Sequence, residues 1–248
     1  DSMIFDSKII VYRDGRSIYT EQLKNLIFFT NEKEHAILSK GEWFRYNNDY
    51  LSYLRDSISE ISTIYDEKYN YKRSEHKKFL NQKYKEEKDD KEHQGLKANE
   101  IKEKIKRKYY KENFFNLKLE RYEFKCIDRD ISSLGKHKYE VADLFKNKTL
   151  YTVKIGNSSS KLSYAVDQSL IVVDLIKKNQ IQIKTGEVQK VCLWLILDRK
   201  TKLSIEKDGN VNLDELEMII LKNKIDNWKK EVRLRGYTPE IFINYVED

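Results

Sequence analysis

The sequence predicts an α/β (α+β) protein with a mixed central sheet, flanking helices and a charged helical hairpin inserted ahead of the main core. Three observations carry this prediction. The elements follow one another as helix, three strands, helix, strand, helix, strand. Val188–Leu197 is a near-continuous apolar run, as expected of a strand covered on both faces. Residues 72–113 are rich in lysine and glutamate, with tyrosine and phenylalanine scattered among them.

Taken in order, residues 3–12 read as extended, and Asp14-Gly15 followed by Ser17-Ile-Tyr-Thr signals a short hairpin. Residues 21–30 fit helix or strand. Gly41-Glu-Trp-Phe-Arg-Tyr reads as a short aromatic strand, after which Asn47-Asn48-Asp49 offers helix caps. Leu51, Leu54, Ile58, Ile61 and Ile64 then recur with helical spacing. Residues 72–113, broken at Gly95, predict two exposed helices or one helix with a mobile tip. Beyond them, Leu117–Ile127, Lys138–Phe145 and Thr149–Ile155 read as strands, with a tight turn at Lys146-Asn147-Lys148. An amphipathic helix carries Leu162, Ala165, Val166, Leu170, Val173 and Ile176. A long helix over Leu213–Leu234 and a strand over Pro239–Val246 close the chain. This organisation divides into 1–71 (strands and a long helix), 72–113 (the charged insertion) and 114–248 (the α/β core).

Composition narrows the function classes. With 248 residues the chain is long enough to bury a core, and it is 39% apolar and 36% charged. No apolar stretch approaches twenty residues, so no membrane partner is expected. The start shows no signal-peptide pattern. Cys126 and Cys192 sit far apart in strand-like surroundings and read as buried thiols of a reducing, cytoplasmic setting. No Cys/His spacing suits zinc. The net charge of +7 is local: residues 72–113 hold fifteen Lys/Arg against nine Asp/Glu, +6 in all. A solvated charged hairpin accounts for that stretch. So does a nucleic-acid arm with Tyr109, Tyr110 or Phe114 for stacking, or an arm for a protein partner or self-association.

One constellation points to chemistry. Lys138-Tyr-Glu-Val-Ala-Asp-Leu-Phe is followed, across the turn, by Thr149-Leu-Tyr-Thr-Val-Lys-Ile-Gly. Asp143 and Lys154, eleven residues apart, stand where an αβββαβ core of the PD-(D/E)XK nuclease superfamily, which this order resembles, carries its first acid and its lysine. In such enzymes one acid ends the second core strand, and a (D/E)-x-K triplet lies on the third. The carboxylates hold Mg²⁺ or Mn²⁺, the ion polarises the scissile phosphate, and the lysine supports transition-state charge. Thr152 occupies the second acid position here, and it is a poor ligand. Glu140, Asp66 and Glu67 are the carboxylates available to join Asp143 as metal ligands. Simple alternation puts Glu140 on the face opposite Asp143. Gln168 and Ser163 are the polar candidates on the following helix. Asp143 and Lys154 as a mere strand-end ion pair is the plainer reading.

Two further patches suit a phosphate backbone. Ser158-Ser159-Ser160, with Gly156 before and Lys161 after, precedes a helix and offers hydroxyls and free N–H groups, although N-capping alone explains the serines. The helix holding Lys229, Lys230 and Arg233 presents cations opposite its apolar side, as a nucleic-acid-binding or simply a solvated face. No P-loop, dinucleotide glycine pattern or nucleophile elbow is present, and the four histidines are scattered.

Several segments also carry a family likeness. Trp43 in its aromatic strand, Asp66-Glu-Lys-Tyr-Asn70, Cys126-Ile-Asp-Arg-Asp, Tyr139-Glu-Val-Ala-Asp-Leu-Phe, and Tyr151-Thr-Val-Lys ahead of Ser158-Ser-Ser-Lys-Leu-Ser and Gln168 occur in one order. Together they resemble a sporadically distributed, uncharacterised family of prokaryotic proteins found near mobile elements and defence genes. Its members read "iEvcDll…lihVK…SSxLSHLfxQG"; here Tyr164-Ala-Val replaces His-Leu-Phe, and Ser169 replaces the glycine. The position of Thr152 often lacks an acid in that family too, which implies an atypical or non-catalytic site. The resemblance implies a prokaryotic defence or mobile-element setting, with nucleic acid, DNA before RNA, as partner. Two expectations follow: a metal-dependent nuclease, or a non-catalytic recognition module on the same core.

Overall fold

The computed structural model describes residues 2–127, 131–134, 137–140, 143–180 and 186–248; for 2, 3, 131–134 and 137–140 it describes the backbone only. The chain begins with a short helix α1 (Ser2–Phe5), then β1 (Lys8–Arg13) and β2 (Arg16–Gln22), an antiparallel ribbon. Its turn puts Asp14 and Gly15 at φ 52° and 74°, the left-handed pair that a two-residue hairpin needs. The span open in the sequence resolves into one of each: α2 (Leu23–Leu26), then β3 (Phe28–Asn31). With β4 (Ala36–Ser39) and β5 (Glu42–Arg45), β3 forms a three-stranded antiparallel sheet.

Asn47 caps α3 (Asn48–Ser59), its side chain accepting the Tyr50 N–H at 2.7 Å. The helical stripe ends sooner than its spacing suggests. Ile61 lies beyond the helix, and Ile64 closes the strand β6 (Ser62–Ile64). A short 3-10 turn at Glu67–Tyr69 leads to β7 (Tyr71–Lys72). The charged stretch folds as two helices, α4 (Arg73–Glu87) and α5 (Ala98–Lys108), which pack through Ile101, Ile105, Tyr109, Phe79, Leu80 and Tyr84.

Expectation fails at Leu117–Ile127, which is not a strand. Helix α6 (Lys111–Leu119) and a 3-10 turn fill most of it, and β8 is only Lys125–Cys126. The residues explain this: Phe114, Phe115 and Leu119 fall on one helical face and are buried together. The expected strand at 138–145 is also divided. The backbone forms a separate ribbon, β9 (Ile131–Leu134) with β10 (His137–Glu140), and the main sheet resumes at β11 (Leu144–Lys146). The turn before β12 (Thr149–Gly156) puts Asn147 and Lys148 at positive φ. Then come α7 (Ser159–Lys177), β13 (Lys190–Leu197), α8 (Ile219–Leu234) and β14 (Thr238–Glu247). Leu213–Glu215, expected at the head of the last helix, is a separate 3-10 turn.

The mixed central sheet runs β6-β14-β13-β12-β11-β8, with β7 also paired to β14. Strands β8, β11 and β12 form an antiparallel meander, and β12, β13, β14 and β6 are parallel. Strand β13 explains its unbroken apolar run. Val191, Leu193, Leu195 and Leu197 join a core built with α3, α7 and α8, while Cys192, Trp194 and Ile196 face a second core under α6. Both faces are dry, so alternation has nothing polar to accommodate.

Candidate functional site

The antiparallel pairing of β11 with β12 stops at Leu144 opposite Tyr151, although β12 continues to Gly156. Its outer edge therefore has backbone N–H groups to satisfy, and side chains do this. The Asp143 carboxylate accepts the Val153 N–H at 2.7 Å. Two residues on, the Ile155 N–H reaches the Glu112 carboxylate at 3.5 Å. Successive same-edge donors lie about 6.6 Å apart along a strand, so the two carboxylates serve neighbouring positions of that edge. Lys154, between those two donors, places its Nζ 3.1 Å from Glu112 and 5.2 Å from the centroid of the Tyr164 ring.

Asp143 is held rigidly. Its N–H donates to the Tyr151 carbonyl at 3.1 Å, its carbonyl accepts from Ile127 at 2.9 Å, and Asn116 Nδ2 donates to Oδ1 at 3.3 Å. It opens β11 rather than ending a strand, because the main sheet starts one residue later. Thr152 is buried, only 1% exposed. Asn116 is fully buried, and its Oδ1 has no hydrogen-bond partner among the described residues. Its amide nitrogen faces Asp143, which leaves this oxygen as a buried acceptor without a partner among the described residues. Gln168 is half-buried on α7, four residues and one helical turn beyond Tyr164, hence on the same side of the helix.

Glu112 was not singled out from the sequence. Nine acids crowd residues 72–113, and nothing in the charge pattern separates this one. One signal was available: it is the acid in the first turn of the helix that carries the buried pair Phe114-Phe115, where a carboxylate also suits the helix dipole.

The other expected ligands lie elsewhere. Asp66 caps the 3-10 turn after β6 and pairs with Lys68 at 2.6 Å, while Glu67 is exposed. Strands β14 and β13 separate β6 from β12, about 14 Å across the sheet, so neither joins Asp143. The Glu140 side chain lies outside the described residues. A second acidic group, Glu87, Asp90 and Glu92, clusters at the tip of the α4–α5 hairpin, but Lys108 and Tyr109 already engage Glu87.

The expected phosphate contacts are partly committed within the chain. Ser158 is the N-cap of α7 by backbone, yet its hydroxyl makes no cap hydrogen bond. The Ser159 hydroxyl donates to Glu32, whose carboxylate also accepts the Ile220 N–H at 3.2 Å. One carboxylate thus serves the N-termini of α7 and α8, where an anion is favoured. Ser160 and Lys161 are exposed. Gly156 is there for packing: a Cβ would stand 3.0 Å from Lys161 Cβ and 3.3 Å from Leu162 Cδ2.

On the cationic face of α8 Lys229 is buried, while Lys230 and Arg233 are exposed but paired within the chain. Lys229, with a side chain 4% exposed, donates to the Ser57 carbonyl and hydroxyl, both at 2.6 Å, and pairs with Glu60 at 3.1 Å. Lys230 binds Asp226 and the Tyr53 hydroxyl, and Arg233 binds Glu60 at 2.9 Å. These cations tie α8 to α3; heptad-scale reading could not foresee it, because α3 lies some 170 residues away. The Asp226 carboxyl lies below its ordinary range: burial would raise it, but hydrogen bonds from Lys230 and Ser57 outweigh that.

Cations do stand near the β12 edge. Arg73 bridges Asp198, 2.6 Å away, and Asp248, 2.9 Å away, and Lys111 lies 3.9 Å from Asp198. Asp198 follows β13 directly, and its N–H donates to the Gly156 carbonyl at 2.9 Å. Arg73, Lys111, Lys154 and Lys161 therefore border the carboxyl ends of β12 and β13, where open parallel sheets bind ligands.

Comparison with known proteins gives one match. The model of a family of unknown function (DUF6119) matches residues 3–214. No curated protein and no solved structure matches the chain.

Proposed function

Because the chain belongs to DUF6119, whose function is unknown, its activity must be argued from its own residues, and we propose that it binds nucleic acid and cleaves phosphodiester bonds with a divalent metal. The observation that carries this reading is that Asp143 and Glu112 accept the Val153 and Ile155 N–H groups along one strand edge, with Lys154 against Glu112. Glu112, from the helix before the strands, supplies the second carboxylate that Thr152 does not.

The donor set fits a hard cation. Asp143, Glu112 and the orphaned Asn116 Oδ1 are oxygen ligands of the kind Mg²⁺ or Mn²⁺ takes. Bound there, the ion would polarise a phosphoryl oxygen and make a nucleophilic water available. Lys154 neutralises Glu112 in the free protein and is released toward phosphate charge when substrate arrives. Gln168 and Tyr164 line the α7 side, and Arg73, Lys111 and Lys161 meet the flanking backbone phosphates. The family likeness noted above supports a prokaryotic defence or mobile-element setting, with DNA as the first substrate to try.

The test is cleavage of plasmid, linear duplex and RNA with Mg²⁺ or Mn²⁺. Wild type should cut, and Glu112→Gln, Asp143→Ala and Lys154→Ala should each lose about a hundredfold or more, with far-UV circular dichroism unchanged. Cutting that survives all three variants defeats the reading.

One observation favours a non-catalytic recognition module instead. Both Asp143 oxygens already accept N–H donors, and a buried threonine fills the second acid position. In that case nucleic acid binds equally well in chelator and in Mg²⁺, and no substrate is cut.

A further inference from the structure

Residues 72–113 mix cations and acids along the chain, but the fold sorts them on α4. The three acids of this helix are all engaged. Glu75 pairs with Lys118 of α6 at 2.7 Å, Glu86 with Lys83 at 2.7 Å, and Glu87 with Lys108 of α5 at 2.8 Å. Its apolar residues Phe79, Leu80 and Tyr84 pack on α5. What faces water is Ser74, Lys77, Lys78, Asn81, Gln82 and Lys85, all exposed and spaced i, i+3, i+4, i+7, i+8 and i+11. Glu86 borders this face, but Gln82 and Lys83 both donate to it. Among the described residues, Lys77, Lys78 and Lys85 take part in no hydrogen bond or ion pair. The cations of α8 behave otherwise: Lys222, Lys224, Lys229, Lys230, Arg233 and Arg235 each have a carboxylate within 3.1 Å. Helix α4 also starts at Arg73, which bridges Asp198 and Asp248 beside the candidate site. Its 15 residues span about 22 Å, roughly six steps of one DNA strand at ~3.4 Å each.

We propose that the outer face of α4 is a track for a nucleic-acid backbone leading away from the site. The proposal rests on the nucleic-acid reading above and gives that reading a binding surface. Charge complementarity selects the occupant. Three ammonium groups without an internal acid attract a polyanion, and the hydroxyl and two amides between them are donors that suit phosphate oxygens. A membrane surface fits less well, because an interfacial helix needs its apolar side free, and that side of α4 is packed on α5. Tyr109 and Phe114 are buried, 7% and 6% exposed, so neither stacks on bases. The contact is therefore electrostatic, indifferent to base sequence and steeply dependent on salt.

Fluorescence anisotropy of the full chain with a labelled duplex of about 20 base pairs, in EDTA and over roughly 50–200 mM salt, tests this. The triple variant Lys77→Gln, Lys78→Gln, Lys85→Gln should bind about tenfold more weakly than wild type. Its slope of log affinity against log salt should fall by about 2–3, since each phosphate contact contributes ~0.9. A control of equal net charge, Lys106→Gln, Lys148→Gln, Lys178→Gln, removes lysines already paired with acids and should keep the wild-type slope. All six side chains are exposed, so both variants should match wild type in far-UV circular dichroism. An α4 variant with the wild-type slope overturns the proposal and leaves the nucleic-acid reading standing. So does an equal loss in the control, which would reduce the effect to net charge. A wild type that binds no duplex overturns both. An α4 variant that loses binding to phosphatidylserine vesicles but not to DNA overturns the track and assigns the face to a membrane. With chelator present, none of these outcomes depends on cutting.

Discussion

His76 shows how much one residue can reveal through its partners. Its Nε2 lies 2.8 Å from the Tyr109 carbonyl, which can only accept, so the proton sits on Nε2. The ring's Nδ1 is then the acceptor, and the Tyr71 hydroxyl donates to it at 2.6 Å. The ring also stacks on Phe114. Burial pushes the His76 pKa below its ordinary value, and Lys111 adds to that, against the opposing Tyr109 hydrogen bond. Burial first, and then the nearby Glu112 carboxylate, hold the Tyr71 phenol above its usual range. The sign for stability follows. The unfolded chain takes up a proton near pH 6.5 while the folded one resists until lower pH, so stability is full above 6.5 and falls as pH drops below it. Thermal melting between pH 7.5 and 5.5 should show this loss in wild type. In His76→Gln the same interval should be flatter, because the group that titrates is gone; equal slopes would assign the loss to other residues.

At the scale of elements, the α3–α8 pair turns on one buried cation. Lys229 has its charge inside the joint, where the Ser57 carbonyl and hydroxyl and the Glu60 carboxylate compensate it. Lys229→Ala leaves those acceptors short of a donor, and should cost about 2–3 kcal/mol in urea unfolding. If the proposed function holds, it should also leave the salt dependence of nucleic-acid binding unchanged, since a buried ammonium releases no counterions from DNA. A reduced slope would put Lys229 on the binding surface after all. The β12 edge behaves in the opposite way. There the element ends its pairing early, and carboxylates replace a neighbouring strand as acceptors. The same N–H groups that make an unpaired edge costly thereby position two acids along it, one of them against Lys154.

For the molecule as a whole, β13 couples the two cores. Trp194 is fully buried, stacks on Phe242 with centroids 4.4 Å apart, and meets Tyr69, Phe115, Phe124 and Tyr151 edge-on or tilted. Its Nε1–H donates to Asn244 Oδ1 at 3.0 Å, and Asn244 Nδ2 in turn donates to Asn70 Oδ1 at 2.9 Å and the Asp66 carbonyl at 2.8 Å. This buried network pins the loop after β6 to β14. Trp194→Ala opens a large cavity and strands the Asn244 acceptor, so a loss of about 4 kcal/mol is expected. Because both faces of β13 are packed, unfolding should remain one cooperative step. A variant that melts in two steps would show that the two cores fold independently. No helix among the described residues is long and apolar enough to cross a membrane.

Local pattern sufficed wherever a residue's neighbours lie close in the chain. The Asn47 cap, the Asp14-Gly15 and Asn147-Lys148 turns, the doubly buried β13 and the α/β class with its mixed sheet were all legible, because spacing and turn chemistry act over a few residues. The β11–β12 hairpin likewise sets Asp143 against the Val153 N–H, one residue before Lys154. Tertiary structure alone decided the rest. It set Glu112 beside Lys154 across forty residues, took Asp66 and Glu67 to the far side of β14, and closed Lys229 and Arg233 onto α3. It also gave the helix N-termini to Glu32. The physical reason is common to all four: a charge shows its type in the sequence, but its partner is chosen by packing, and packing joins elements that the chain keeps far apart.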